Sequence, residues 1–151
     1  MTSDSDALFV QVVSHLERAS IPFALIGAGA LAIHGVSRST LDIDLLATDR
    51  RLLEPVFWAL GSGVEVEVRR GDAADPLAGV VRCRAPHQRD VDIVIGKAAW
   101  QAALVARAEP LTRSGRAIPA ARVEDLVLLK LDAGGSQDRW DIEQRLQRPS
   151  G

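Results

Sequence analysis

The chain has 151 residues, of which 47% are apolar and 25% charged, the balance of a globular chain of one-domain size, which excludes disorder over its whole length. Its formal net charge of -2 argues against a broad nucleic-acid-coating surface, although an arginine-lined local groove is compatible with it. Its one cysteine, Cys83, excludes an internal disulfide framework and a cysteine zinc site, and no apolar run reaches the ~20 residues that a membrane helix needs. The acidic start MTSDSDALF lacks a basic leader, so the expected compartment is the reducing cytoplasm.

The first expected element is a helix over Asp6–Ala19, where Leu8, Phe9, Val12, Val13 and Leu16 recur at helical spacing and Ser5 or Asp6 can cap. Ser20-Ile21-Pro22 breaks it. Phe23–Ile26 reads as a short apolar strand, turned by Gly27-Ala28-Gly29 into a short helix ending near Gly35. After a polar loop, Leu41–Leu46 is a second strand. Arg50–Leu60 reads as a helix stopped by Gly61-Ser62-Gly63, and Val64–Val68 alternates as a strand with one wet face. Val80–Arg84 and Val91–Ile95 are two further strands, Ala98–Ala108 a helix, and Pro110–Pro119 a hairpin about Ser114-Gly115. Helices over Val123–Ala133 and Gln137–Leu146 close the chain. Interleaved helices and hairpin-length connections predict an α+β fold, a mixed sheet with helices packed on it, rather than an all-parallel one. One domain is expected over residues 1–151, with its core at about 20–100 and C-terminal helices at about 120–147.

The chemistry is concentrated in LIGAGALAIHGVSRSTLDIDLL, Leu25 to Leu46. A strand–glycine–helix junction aims free backbone N–H groups and the positive end of a helix dipole at one point, where a phosphate is a natural guest. Glycine is needed there because a side chain would hold the phosphate off the backbone. Asp42 and Asp44, two apart on an apolar strand, point to one face. Their mutual repulsion and desolvation favour a divalent cation, and magnesium takes hard oxygen ligands of this kind. Asp92, on the apolar strand of RDVDIVIG, offers a third carboxylate, with Asp90 on the same face as the alternative. Three carboxylates on neighbouring strands suit two metals about 4 Å apart and in-line displacement at phosphorus. Glu65 and Glu67 share the two-residue spacing, but no glycine turn precedes them, and a wet strand face explains them.

This arrangement resembles the DNA polymerase β nucleotidyltransferase superfamily: a strand, a glycine turn, a short spacer, Asp-x-Asp, and a later strand carboxylate. The longer string with His34-Gly35, Arg38, Thr40 and Asp42-Ile-Asp44 is similar to its AbiEii-like and minimal branches, as is EDLVLLKLDAGGSQDRWDIEQRL with Lys130, Asp138 and Asp141. The resemblance runs from about Phe23 to Leu146. It implies transfer of a nucleoside monophosphate from NTP to an acceptor hydroxyl, with Mg2+ (or Mn2+) on Asp42, Asp44 and Asp92. Gly27, Ala28 and Gly29 would hold the triphosphate, and Arg38, Thr40 and Lys130 would flank it. The alternatives are an ion pair of Arg38 with Asp42 or Asp44 and a snorkelling helix position for Lys130. Ala28 departs from the Gly or Ser common at that turn position. The resemblance leaves tRNA or another RNA, a partner protein, or a small molecule as acceptor. It also implies a toxin–antitoxin setting with a cognate partner, and homodimerisation would complete an acceptor pocket left open by the short C-terminus. A catalytically degenerate binding or antitoxin module is the alternative.

Overall fold

The computed structural model describes residues 6–27, 42–75, 77–113, 115–129 and 131. Helix α1 (Ala7–Arg18) buries Leu8, Phe9, Val12, Val13 and Leu16, the apolar stripe that its periodicity predicts. Asp6 stands before it but makes no side-chain cap; its carboxylate faces Arg113 at 3.5 Å. Strands β1 (Phe23–Leu25), β2 (Asp42–Ala47), β3 (Glu65–Arg70), β4 (Leu77–Arg84), β5 (Asp90–Gly96), β6 (Glu109–Arg113) and β7 (Arg116–Ala120) form one sheet in the order β3-β4-β5-β2-β1-β7-β6. Pairs β2–β5 and β1–β7 are parallel and the other four antiparallel. The mixed α+β sheet expected from the sequence is therefore present.

Alternate positions on the central strands build the core. Ile43 and Leu45 of β2, Val91, Ile93 and Ile95 of β5, and Val81 and Cys83 of β4 are all buried. Each large apolar side chain among them contributes on the order of 1.5–3 kcal/mol by leaving water. Helix α1 lies against β5, and α2 (Ala99–Ala106) against β2. The start of α2 is held by Gln101, whose buried side-chain oxygen accepts from the backbone N–H groups of Lys97 and Ala98, each at 3.0 Å.

One expected element takes a different form. Arg50–Leu60 is not a continuous helix but two 3-10 turns, Arg50–Leu53 and Pro55–Trp58. Pro55 disfavours helical backbone at the residue before it, and Glu54 is extended at φ -90, ψ 117. Asp49 caps the first turn by accepting from Arg51 N at 2.9 Å, and Trp58 Nε1 donates to Leu52 O at 2.8 Å.

The β6–β7 hairpin turns at Gly115, which has φ 73, and docks β7 beside β1 through Leu25↔Ala120. Residues 123–129 are helical. Asp125 fastens this helix to the end of α2: its buried carboxylate accepts from Arg107 Nε at 2.7 Å and from the Arg107 terminal nitrogen at 2.5 Å. The helices expected after Gly29 and over Gln137–Leu146 lie outside the described residues.

Candidate active site

The parallel pairing of β2 with β5 sets Asp42 opposite Asp90 and Asp44 opposite Asp92. Register partners share a sheet face, and residues two apart on a strand do too. Four aspartate positions thus lie on one face in two rows, opposite the one that carries Ile43, Leu45, Val91 and Ile93. The rows continue across β4 and β3. Asp92 is opposite Arg82 and Arg82 opposite Glu67, while Glu65 pairs with Arg84. Acids therefore flank a pair of arginines on both sides.

The arginines are engaged. Arg82 Nε donates to Asp92 Oδ1 at 2.7 Å and its terminal nitrogen to Oδ2 at 3.0 Å, a two-pronged charge-assisted contact. Asp92 is only 8% exposed. Arg84 approaches Asp90 at 3.4 Å. Glu67 accepts from Arg69 at 2.9 Å on the exposed edge strand. That hydrogen bond first, then the charge of Arg69, and only after these the charges of Arg84 and Arg82, hold its carboxyl below the ordinary value. Behind the rows, burial first and the Asp92 charge second push the Cys83 thiol up to about 12.

On the other side of β2, the end of β1 meets Asp44. The backbone N–H groups of Ile26 and Gly27 both donate to the Asp44 carbonyl, at 2.9 and 3.2 Å. A Cβ on Gly27 would stand 2.4 Å from Asp44 Cβ and 2.6 Å from its Oδ2. Gly27 is a glycine because the Asp44 side chain occupies the space that any other residue would fill. Gly27 and Asp44, 17 residues apart in the chain, are thereby one spatial unit.

Of the site residues expected from the sequence, Gly27, Asp44 and Asp92 come together along this face, and the backbone of Asp42 joins them through its register with Asp90. The Asp42 side chain and Ala28, Gly29, Arg38, Thr40 and Lys130 lie outside the described residues. Among the described residues no group of three or more potential metal ligands occurs. The donor set nonetheless suits a hard divalent cation: carboxylates on neighbouring strands, with Gly27 beside Asp44 adding no side chain there. Sequence reasoning missed Arg82 and Arg84. Their signal was the mirrored spacing of Arg82 and Arg84 with Asp90 and Asp92 about His87, where the hairpin turns with φ 61. A groove of about 190 Å³ lined by Glu67, Arg69, Val80 and Arg82 opens beyond Asp92. Another, lined in part by Glu65 and Arg84, lies at the end of the β3–β4 ladder.

Two solved structures share this architecture. One is a protein from Thermotoga maritima provisionally assigned as a nucleotidyltransferase, 14% identical with a TM-score of 0.65, the match covering 93% of this chain and 91% of that one. The other is ANT(2″)-Ia in complex with adenylyl-2″-tobramycin, 17% identical with a TM-score of 0.58, covering 89% and 78%. No family model and no curated protein matches the sequence. The chain therefore has a nucleotidyltransferase-type fold, and its acidic rows and glycine turn lie on that sheet. Among the described residues no helix is long and apolar enough to cross a membrane.

Proposed function

We propose that the chain is a metal-dependent nucleotidyltransferase that moves a nucleoside monophosphate from NTP to an acceptor hydroxyl. The observation that carries this reading is the packing of Gly27 on Asp44, with Asp92 in register on the next strand. Backbone N–H groups of Gly27, Ala28 and Gly29 would receive the triphosphate, and Arg38, Thr40 and Lys130 would add donors to it. Asp42 and Asp44, joined by Asp92, would hold Mg2+ or Mn2+. The ion supplies charge neutralisation at the phosphates and a lowered pKa for the attacking hydroxyl. Asp92 stands on the side of β2 away from Gly27, where it would face the acceptor and orient that hydroxyl.

On this reading Gly27, which follows β1, would lie on the donor side, and Asp92 on β5, with β4 and β3 beyond it, on the acceptor side. The acceptor classes are a tRNA or other RNA, a partner protein and a small molecule, and the AbiEii-like string adds a toxin–antitoxin role with a cognate partner. The two-pronged Arg82 contact on Asp92 favours one second reading, a binding module of the same fold in which that carboxylate is structural.

Incubation with each α-labelled NTP, magnesium, total tRNA and cell extract separates the readings. Transfer predicts label in RNA, protein or a small molecule, lost in Asp42→Ala/Asp44→Ala. A binding module predicts no labelled product in any mixture.

A further inference from the structure

Arg82 stands between two carboxylates. On β5 its register partner is Asp92, and on β3 it is Glu67. Direct cross-strand neighbours have Cβ atoms about 4.5–5.5 Å apart, within reach of a guanidinium from either side. Arg82 takes Asp92, and both carboxylate oxygens accept from it. A cation that binds Asp92 needs at least one of those oxygens and repels the guanidinium at this range. Cation and Arg82 therefore compete for one carboxylate. The guanidinium, with its side chain 39% exposed, would otherwise give up a two-pronged charge-assisted contact for water alone, an obstacle to the exchange. Glu67 removes that obstacle: it is exposed, and it lines the groove of about 190 Å³ that Arg82 also lines. Its contact with Arg69 joins two exposed side chains, and such pairs are weakly held and easily shared.

We propose that Arg82 is a partner-switching positioning residue, which clamps Asp92 when no cation is bound there and passes to Glu67 when Asp92 takes a divalent cation. The inference rests on the metal-dependent reading above. It makes cation loading ordered. The Asp42/Asp44 pair fills first, and Asp92 joins only when the incoming charge outweighs Arg82. It also gives Glu67 a role beyond that of a wet strand face.

Mn2+ titration followed by electron paramagnetic resonance tests it without turnover, with nucleotide absent. Wild-type protein is expected to bind one Mn2+ and a second more weakly, the second abolished by Asp92→Asn. Arg82→Met should tighten the second site by about tenfold, the worth of one charged hydrogen-bonded contact. Arg84→Met, which removes the same charge two residues away, should change it far less. Glu67→Gln, at an exposed position that leaves the core untouched, should weaken the second site more than Glu65→Gln does. A purely structural Arg82 gives the opposite sign, with Mn2+ binding lost in Arg82→Met, and that result would overturn the proposal. So would equal effects of the Arg82 and Arg84 variants, or of the Glu67 and Glu65 variants. A first site that binds while the second ignores all four variants sinks this inference alone. No Mn2+ binding to wild type or to Arg82→Met removes the metal-dependent reading with it.

Discussion

Gly27 is the residue where local chemistry and proposed function meet most closely. An added Cβ would fall inside the van der Waals envelope of Asp44, so Gly27→Ala must displace either the turn or the carboxylate. Overpacking of this kind costs about 1–3 kcal/mol. Because the displaced atoms belong to the proposed metal site, nucleotidyl transfer is expected to fall by about tenfold or more, each factor of ten being about 1.4 kcal/mol in the barrier. Urea midpoints and kcat/KM measured on the same variant separate the two effects; unchanged kcat/KM would detach the turn from the chemistry. Cys83 makes the opposite case. Its thiol is buried and pushed up to about 12, so almost none is thiolate at pH 8. Iodoacetamide should leave it unlabelled in the folded protein and label it on unfolding. Labelling of native protein at the rate of a free thiol would place Cys83 elsewhere.

At the scale of elements, the β4–β5 hairpin and the helix over 123–129 show what patterns of sequence can and cannot convey. Strand positions β2 and β5 were legible because apolar alternation and the aspartate spacing agree. The arginines opposite Asp90 and Asp92 were not, since their meaning depends on the hairpin register, which only the pairing of Arg82 with Asp92 reveals. The apolar periodicity of Arg50–Leu60 does not become a helix because Pro55 restricts Glu54 and splits the segment into two turns. The buried Asp125 was overlooked beside the more conspicuous Lys130, although Asp125 is what ties the C-terminal helix to α2. Hydrogen bonds from Arg107 hold its carboxyl below the ordinary value, against the opposing effect of burial. A depressed folded-state pKa contributes stability that is present above the unfolded-state value and lost as pH falls through the folded one. Asp125→Asn should therefore destabilise at neutral pH by about 1–3 kcal/mol, limited by the partial exposure of Arg107. The gap from wild type should shrink as pH drops below the ordinary carboxylate range. Urea titrations at pH 7 and pH 3 check this, and a gap that widens toward acid would refute the assignment.

Over the whole molecule, the seven-stranded sheet works as a divider. The polar rows run from the positions of Asp42 and Asp44 outward across β5, β4 and β3, while Gly27 packs on Asp44 from the opposite side of β2. In the proposed reaction the donor would bind at Gly27 and Asp44, and the acceptor over the polar rows. The strands themselves were legible from apolar runs and hairpin spacing, whereas their order depends on the parallel pairings β2–β5 and β1–β7 between distant segments, and the polar face on which side chains meet across them. The donor half is tested most directly by calorimetric titration of the protein with a non-hydrolysable NTP analogue, with and without magnesium, beside Asp42→Asn/Asp44→Asn. Binding is expected to require magnesium and to be lost in the double variant. Absence of binding in wild type, or binding undiminished in the variant, would contradict it.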